Sequence, residues 1–151
     1  MINIVSGDIF ESSAEALANP VNAKGVMGKG LAKVFRDKFP EIMAPYREAC
    51  DIGKLQTGQV LTIEVSSAKG TRFVINFPTK THWRGKSKIE FIETGLDALV
   101  AELTRLGIQS VAIPPLGCGL GGLAWETVHK MILQKLKSLE DSIRIDLYPP
   151  G

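Results

Sequence analysis

Residues 111–122 read VAIPPLGCGLGG, an apolar run that passes directly into a turn with four glycines. An apolar helical pattern follows from Trp125 onward. Glycine has no Cβ and adopts positive φ, so consecutive backbone N–H groups in such a turn can converge on an anion. The helix N-terminus behind it adds unpaired donors and partial positive charge. This segment therefore predicts a buried strand, a phosphate-binding turn and a helix.

A second glycine-rich turn, GVMGKG at residues 25–30, also precedes an apolar helical pattern. Gly117, Gly119 and Gly122 formally match G-x-G-x-x-G, but neither turn has the full pattern of a standard nucleotide motif. A Walker A loop needs a different glycine spacing and a hydroxyl residue where Gly30 stands, and a Rossmann fingerprint belongs after the first strand, not a late one. A tight strand-to-helix turn and a flexible surface loop are the plainer interpretations of the two segments. Together, however, the turns predict a site that grips a diphosphate from both sides.

The alternation of apolar runs and helical periodicities predicts an α/β fold with three α/β/α layers and a mixed central sheet. Apolar residues at helical spacing predict a long third helix. Ser87 is expected to cap its N-terminus, and Gly107 is expected to end it. Asn19-Pro20 is expected to break the second strand. The predicted strands are 2–5, 14–21, 60–65, 72–77, 110–113 and 143–148, the third and fourth antiparallel. The predicted helices are 31–39, 41–51, 87–106 and 125–136.

Length and composition limit the classes of protein to which the chain can belong. The chain has 151 residues, 44% of them hydrophobic and 23% charged, with a net charge of +2 and two cysteines. These values indicate one monomeric domain over 1–151, without a disulfide framework, a zinc site or a general affinity for nucleic acid. No signal peptide or membrane-spanning run is recognised, which predicts a cytoplasmic protein. Residues 148–151 resemble the start of a linker to a longer chain.

Several polar residues stand where predicted strands end. Asp8 can accept a hydrogen bond from an adenine amino group or cap the next helical turn, and Asn22 can bind a ribose hydroxyl or satisfy its own loop. The segment 78–84, PTKTHWR, is either a solvated basic loop or a binding surface. Trp83 and Arg84 can stack on bases, and a desolvated Lys80 can act as nucleophile or acid.

In combination these segments resemble the macrodomain family of ADP-ribose-binding modules. The resemblance rests on residues 6–9 (SGDI), on 19–22 (NPVN) with 28–30 (GKG), and on 114–122 (PPLGCGLGG), and it covers nearly the whole chain in order. Within the family the chain is most similar to the lysine-dependent branch that removes terminal ADP-ribose. Residues 76–84 are most similar to those of the DarG antitoxins, which reverse ADP-ribosylation of thymidine in single-stranded DNA.

The resemblance assigns roles to residues. Lys80 is the implied catalytic residue, without cofactor or metal. Asp8, Ile9 and Tyr148 are expected at adenine, and Asn22, Leu31 and Thr79 near the distal ribose. The implied ADP-ribose-binding set is Asp8, Ile9, Pro20, Val21, Asn22, Gly28, Leu31, Thr79, Gly117, Cys118, Gly119, Leu120, Gly121 and Tyr148. His82, Trp83 and Arg84 are candidates for contact with DNA.

The resemblance implies a DNA ADP-ribosyl glycohydrolase that acts as antitoxin to a DNA ADP-ribosyltransferase toxin. A non-catalytic ADP-ribose reader, a hydrolase of ADP-ribosylated protein carboxylates and a general nucleotide- or RNA-binding module are the alternatives. Related lysine-dependent hydrolases carry an aspartate where Gly121 stands, so Lys80 is left with most of the chemistry. Either a protonated Lys80 assists departure of the base or a neutral Lys80 attacks C1″, its pKa depressed by burial or by a cation such as Arg84.

Overall fold

The chain folds around one six-stranded sheet, and the computed structural model describes residues 1–151. The strands are β1 Ile2–Ile4, β2 Ala16–Asn22, β3 Leu61–Glu64, β4 Phe73–Lys80, β5 Ser110–Ile113 and β6 Arg144–Leu147. The α-helices are α1 Gly30–Lys38, α2 Met43–Asp51, α3 Ile89–Leu106 and α4 Trp125–Leu136. Single 3₁₀ turns lie at Ile9–Glu11, Pro40–Ile42 and Lys137–Leu139.

The sheet is mixed, as predicted, with the strand order β1-β6-β5-β2-β4-β3. The first five strands in this order are parallel, and β3 pairs antiparallel with β4. In parallel neighbours the carboxyl ends lie at the same edge of the sheet. The loops that follow β1, β6, β5 and β2 therefore meet the end of β4 along one edge.

Helices cover both faces of the sheet and bury two separate apolar cores, which confirms the three-layer prediction. The side chains of β2 point alternately to the two faces of the sheet. Leu17 and Val21 belong to the core under α1 and α2, whereas Ala16 and Ala18 belong to the core under α3 and α4. The predicted stripe of α3 also supplies that second core. None of the helices combines the length and the apolarity needed to cross a bilayer.

Pro20 does not break β2, so that prediction was wrong. The strand continues through Asn22 because it pairs with β4 along almost its whole length. Its ladder with β5 involves only Ala16 and Leu17. Pro20 thus lies where β2 has a strand partner on one side only, and proline is tolerated at such edge-like positions.

One close contact between β4 and α3 depends on glycine. An ideal Cβ built on Gly95 would lie 2.4 Å from Cζ of the fully buried Phe77. The absence of that Cβ lets the aromatic ring fit between the strand and the helix. At the other end of α3, Gly107 has φ 64° and donates its N–H to Leu103 and Thr104, which confirms it as the end of the helix.

Candidate functional site

The predicted site residues lie along the carboxyl edge of the parallel strands. In spatial order, Asp8 follows β1, Tyr148 follows β6, Gly117–Gly122 follow β5, residues 23–30 follow β2, and Lys80 ends β4. Strands are about 4.8 Å apart, so this row extends over roughly 19 Å. Ligands of open α/β sheets bind at such an edge. The row suits a long ligand lying across the strands.

A cavity of about 690 Å³ opens at the β5, β2 and β4 part of this edge. Most of the predicted site residues line it. They are Pro20, Val21, Asn22, Gly28, Leu31, Thr79, Lys80, Trp83, Arg84, Gly117, Gly119, Leu120 and Gly121. Both glycine turns and the predicted catalytic lysine therefore face one space.

Five predicted residues do not line this cavity: Asp8, Ile9, His82, Cys118 and Tyr148. Asp8 accepts the N–H of Phe10 at 2.9 Å and so caps the first 3₁₀ turn. Ile9 and Tyr148 are buried in the core under α1 and α2. Asp8 itself is exposed, and the assignment of adenine to Asp8, Ile9 and Tyr148 stays a prediction.

The turn after β5 presents a row of unpaired backbone donors. Leu123 N–H donates to Gly117 O at 2.9 Å and Gly122 N–H to Gly119 O at 3.2 Å, which closes the turn on itself. No acceptor in the protein receives the three N–H groups of residues 119–121. Consecutive free amides of this kind form an anion-binding nest. We call residues 119–121 the β5 nest.

Two glycines are required for the shape of the β5 nest. Gly117 has φ 73°, a conformation that strains other residues. A Cβ on Gly121 would lie 2.5 Å from Gly117 O and 2.9 Å from Cβ of Ser87. Because the first of these atoms belongs to the backbone, a side chain at position 121 forces the turn to open.

The turn after β2 faces the β5 nest. The amides of Gly28 and Lys29 have no acceptor in the protein, and α1 begins at Gly30 without a side-chain cap. Cδ1 of Leu120 lies 3.5 Å from the Cβ position of Gly30, so the two turns approach each other closely. The helix end adds further unpaired N–H groups and partial positive charge. Unpaired donors of two neighbouring turns are therefore available to an anionic group bound between them.

Asn22 holds the loop after β2 in shape. Its Nδ2 donates to Val26 O at 2.7 Å, and its Oδ1 accepts the N–H of Lys24 at 2.9 Å. The hydroxyl of the fully buried Tyr46 lies 2.7 Å from Asn22 O and 3.0 Å from Asn22 Oδ1. Burial raises the pKa of Tyr46, so its hydroxyl remains a protonated donor. The sequence left two roles open for Asn22, and the structure shows that its side chain organises the loop after β2.

The variant Tyr46→Phe tests whether the Tyr46 hydroxyl stabilises the loop after β2. It removes the only proton donor to a buried carbonyl oxygen, which costs about 1–3 kcal/mol of unfolding free energy. Urea denaturation measures that loss, and titration with ADP-ribose measures the weaker binding expected from a looser loop. Tyr148→Phe is the matched control for the stability measurement alone, because the Tyr148 hydroxyl has no hydrogen-bond partner in the protein. Equal stability of the two variants contradicts the assignment.

Lys80 is the last residue of β4 and lies half-buried in the cavity. Its Nζ donates to Trp83 O at 3.1 Å. Burial, and then the nearby ammonium groups of Lys86 and Lys29, lower the pKa of Lys80 below its ordinary value. Arg84, the cation proposed from the sequence, is not among the causes, so that detail was wrong. The structure thus brings a lysine with a depressed pKa to the two glycine turns.

Ser87 joins the end of β4 to the β5 nest. Its Oγ donates to Thr79 O, and its N–H donates to Gly121 O at 3.0 Å. The sequence prediction of a helix cap was wrong, because α3 begins at Ile89 and Lys88 occupies the N-cap position without a side-chain bond. The hydroxyl of Ser87 instead donates a hydrogen bond to Thr79 O near the end of β4.

The charge around the cavity is positive. Lys29, Lys80 and Arg84 line it, and no aspartate or glutamate does. No group of three or more His, Cys, Asp or Glu side chains is placed to hold a metal ion. Sequence reasoning missed Val26, Lys29, Gly30, Ala32, Pro114 and Pro115 among the lining residues. Most of them lie inside the glycine-rich segments already quoted, of which only some residues were assigned.

The comparisons with known proteins agree with this geometry. A family model described as Macro domain matches residues 18–132. A Mycobacterium tuberculosis protein named DNA ADP-ribosyl glycohydrolase is 42% identical over 151 residues, which are 100% of this chain and 43% of that protein. The solved structure described as the macrodomain of Mycobacterium tuberculosis DarG has 42% identity and a TM-score of 0.96, over 100% of this chain and 99% of that one.

A second organism gives a more distant match. A Thermosipho africanus protein named DNA ADP-ribosyl transferase-DNA ADP-ribosyl glycohydrolase fusion protein is 35% identical, over 97% of this chain and 42% of that protein. A structure of Thermosipho africanus DarTG in complex with ADP-ribose has a TM-score of 0.89 at 35% identity, over 98% of this chain and 42% of that one. The chain thus spans less than half the length of these two curated relatives.

Proposed function

The chain belongs to the macrodomain family, and on that premise we propose that it is a DNA ADP-ribosyl glycohydrolase that removes ADP-ribose from thymidine in single-stranded DNA. The names of the relatives support the reaction and the DNA substrate. The resemblance of residues 76–84 supports thymidine as the modified nucleoside. The fusion in the Thermosipho relative supports a DNA ADP-ribosyltransferase toxin as partner.

One observation carries the proposal most directly. Lys80 lies at the end of β4 in the same cavity as two clusters of unpaired amides. Amide clusters that face each other fit the two phosphates of ADP-ribose. With the diphosphate held there, the distal ribose extends toward β4 and its C1″ toward Lys80. A reader that only binds ADP-ribose needs the amides but has no use for a lysine with a depressed pKa in this place.

The reaction breaks the bond between C1″ of the distal ribose and a thymine nitrogen. Water supplies a hydroxyl to C1″ and a proton to the base, so free ADP-ribose and unmodified DNA result. Protonated Lys80 can donate that proton to the departing base. Neutral Lys80 can instead bond to C1″ as the C–N bond breaks, and water then releases the ribose from the lysine. Lys29 and Lys86 favour the neutral form in both cases.

The pH profile of single-turnover rates separates these two routes. The rate falls as pH rises through the Lys80 pKa if the proton is needed, and it rises if the free amine is needed. In either case we expect the midpoint below 10.5, the ordinary value for lysine. Lys86→Gln removes a neighbouring cation and moves the midpoint to higher pH, whereas Lys137→Gln at the far end of α4 leaves it in place. If the midpoint is the same in Lys86→Gln as in the parent protein, the electrostatic account of the lowered pKa of Lys80 is contradicted.

The choice of substrate tests the function itself. Purified protein is incubated in parallel with an ADP-ribosylated single-stranded oligonucleotide and with a protein ADP-ribosylated on carboxylates, and released ADP-ribose is quantified. We expect release from DNA and little from protein. Preference for the protein substrate points to the carboxylate hydrolase, and binding of ADP-ribose without release from either points to a reader.

A further inference from the structure

Cations exceed what an ADP-ribose diphosphate requires at this site. The molecule contains seven side-chain ion pairs, and none involves Lys29, Lys80, Arg84 or Lys86. Under the proposed function, backbone amides from both turns hold the two phosphates of ADP-ribose. Other Lys and Arg residues also lack an ion pair, but Lys29, Lys80 and Arg84 line one cavity and Lys86 lies beside Gly122, so these four cations share one edge of the sheet. A ligand with further phosphates beyond ADP-ribose accounts for this concentration.

An aromatic surface lies beside these cations. Trp83 stacks on His82, with ring centroids 3.8 Å apart and an interplanar angle of 25°. Trp83 is 45% exposed and also borders the cavity. A large ring held flat by its neighbour and open to solvent is suited to stacking on a nucleobase.

The segment that carries Trp83 is held in place from both ends. Gly85 N–H donates to His82 O at 3.0 Å, and Arg84 N–H donates to His82 Nδ1 at 3.1 Å. Trp83 O accepts the Lys80 ammonium group. Ser87 then attaches the segment to the β5 nest. The backbone of residues 82–85 and the stacked aromatic pair are therefore held in position relative to the reacting lysine.

Lys86 extends the same surface toward the β5 nest. Its Nζ lies 3.7 Å from the Cβ position of Gly122 and close enough to Lys80 to lower the pKa of that group. On the opposite side of the cavity, Lys29 belongs to the loop after β2. Positive charge thus flanks the opening on two sides.

We propose that His82, Trp83, Arg84 and Lys86 form a strand-binding rim, which stacks a base next to the modified nucleotide and holds the neighbouring backbone phosphates. This rests on the proposed function and adds how the DNA strand is recognised. The rim makes the protein select a modified strand over a free modified nucleoside. Single-stranded DNA fits because its bases are free to stack on Trp83.

Binding measurements in a Lys80→Arg background test the rim without consuming the substrate, because arginine retains a cationic donor for Trp83 O. Fluorescence anisotropy and calorimetry give the affinities for an ADP-ribosylated oligonucleotide and for ADP-ribosylated thymidine as the free nucleoside. We expect Trp83→Ala and Arg84→Ala each to weaken oligonucleotide binding about tenfold, since one stacked base or one phosphate contact is lost. Neither change should alter nucleoside binding comparably. Trp83→Phe, which retains a stacking ring, should recover part of the loss.

Salt dependence distinguishes the two parts of the rim. Arg84→Ala should reduce the slope of log affinity against log salt by about 0.7, the value for one phosphate contact on a single strand, and Trp83→Ala should leave it unchanged. Lys137→Ala is the matched control, because Lys137 lies about 18 Å along α4 from the helix end nearest the cavity. Lys86 is left intact here because it also affects Lys80.

Two results overturn the rim. One is an equal loss for nucleoside and oligonucleotide, which places these residues at ADP-ribose itself. The other is no loss for either. Failure of the proposed function is a separate result: the protein with Lys80 intact then releases no ADP-ribose from either substrate, while the comparison of affinities still decides whether the rim binds the strand.

Discussion

Replacement of Lys80 by alanine should slow the release of ADP-ribose from modified DNA by about a thousandfold or more, which corresponds to about 4 kcal/mol of transition-state stabilisation. The reason is that no aspartate, glutamate, histidine or cysteine lines the cavity, so no other general acid, base or nucleophile of those types replaces Lys80. Single-turnover release from an ADP-ribosylated oligonucleotide measures the effect. Affinity for free ADP-ribose should change little, because backbone amides hold the diphosphate.

Lys80→Arg is the informative companion variant. It retains the positive charge but neither gives up a proton nor acts as a nucleophile near neutral pH. Loss of activity in both variants therefore shows that charge alone is insufficient. Borohydride trapping during turnover then identifies the covalent route, if Lys80 forms an adduct that can be reduced. Near-normal release by Lys80→Ala shows that the catalytic assignment is wrong.

The second large effect is expected at Gly121, where alanine should weaken ADP-ribose binding by about a hundredfold or more. Its Cβ would stand 2.5 Å from Gly117 O, so the turn must open and the three donors of the β5 nest separate. Loss of two charge-assisted hydrogen bonds at about 1.5 kcal/mol each gives that magnitude. The crowding itself should cost about 1–3 kcal/mol of unfolding free energy.

Gly119→Ala is the matched control in the same turn. No atom lies within 4 Å of its Cβ position and its φ is not positive, so the folded state should remain as stable as the parent within about 0.5 kcal/mol. Calorimetric titration and urea denaturation of the two variants give the comparison. Retained ADP-ribose binding by Gly121→Ala means that the β5 nest does not bind the diphosphate.

The same crowding gives a physical reason for the departure at position 121. The family resemblance implies an aspartate at this position in related lysine-dependent hydrolases, and the turn as folded here has no room for a side chain at Gly121. A second acid or base cannot be introduced at this position without opening the β5 nest. Lys80, with its pKa lowered by burial and then by Lys86 and Lys29, is therefore the group to which the chemistry is assigned.

The sequence alone was sufficient for features that depend on local chemistry. Apolar periodicity located the helices and strands, glycine spacing located both turns, and Gly107 marked the end of a helix. The position of Lys80 at the end of a buried strand was also readable, because strand ends follow directly from where the apolar run stops. Family resemblance then linked these segments to ADP-ribose.

Only the tertiary structure decided features that join residues far apart in the chain. Ser87 reaches Gly121, Tyr46 reaches Asn22, and Lys86 acts on Lys80 through space rather than along a motif. Strand order has no local signature, so the sequence did not show that β1, β6, β5, β2 and β4 place the site residues in one row. A side chain's partners depend on which strands become neighbours, and that is settled by packing of the whole sheet.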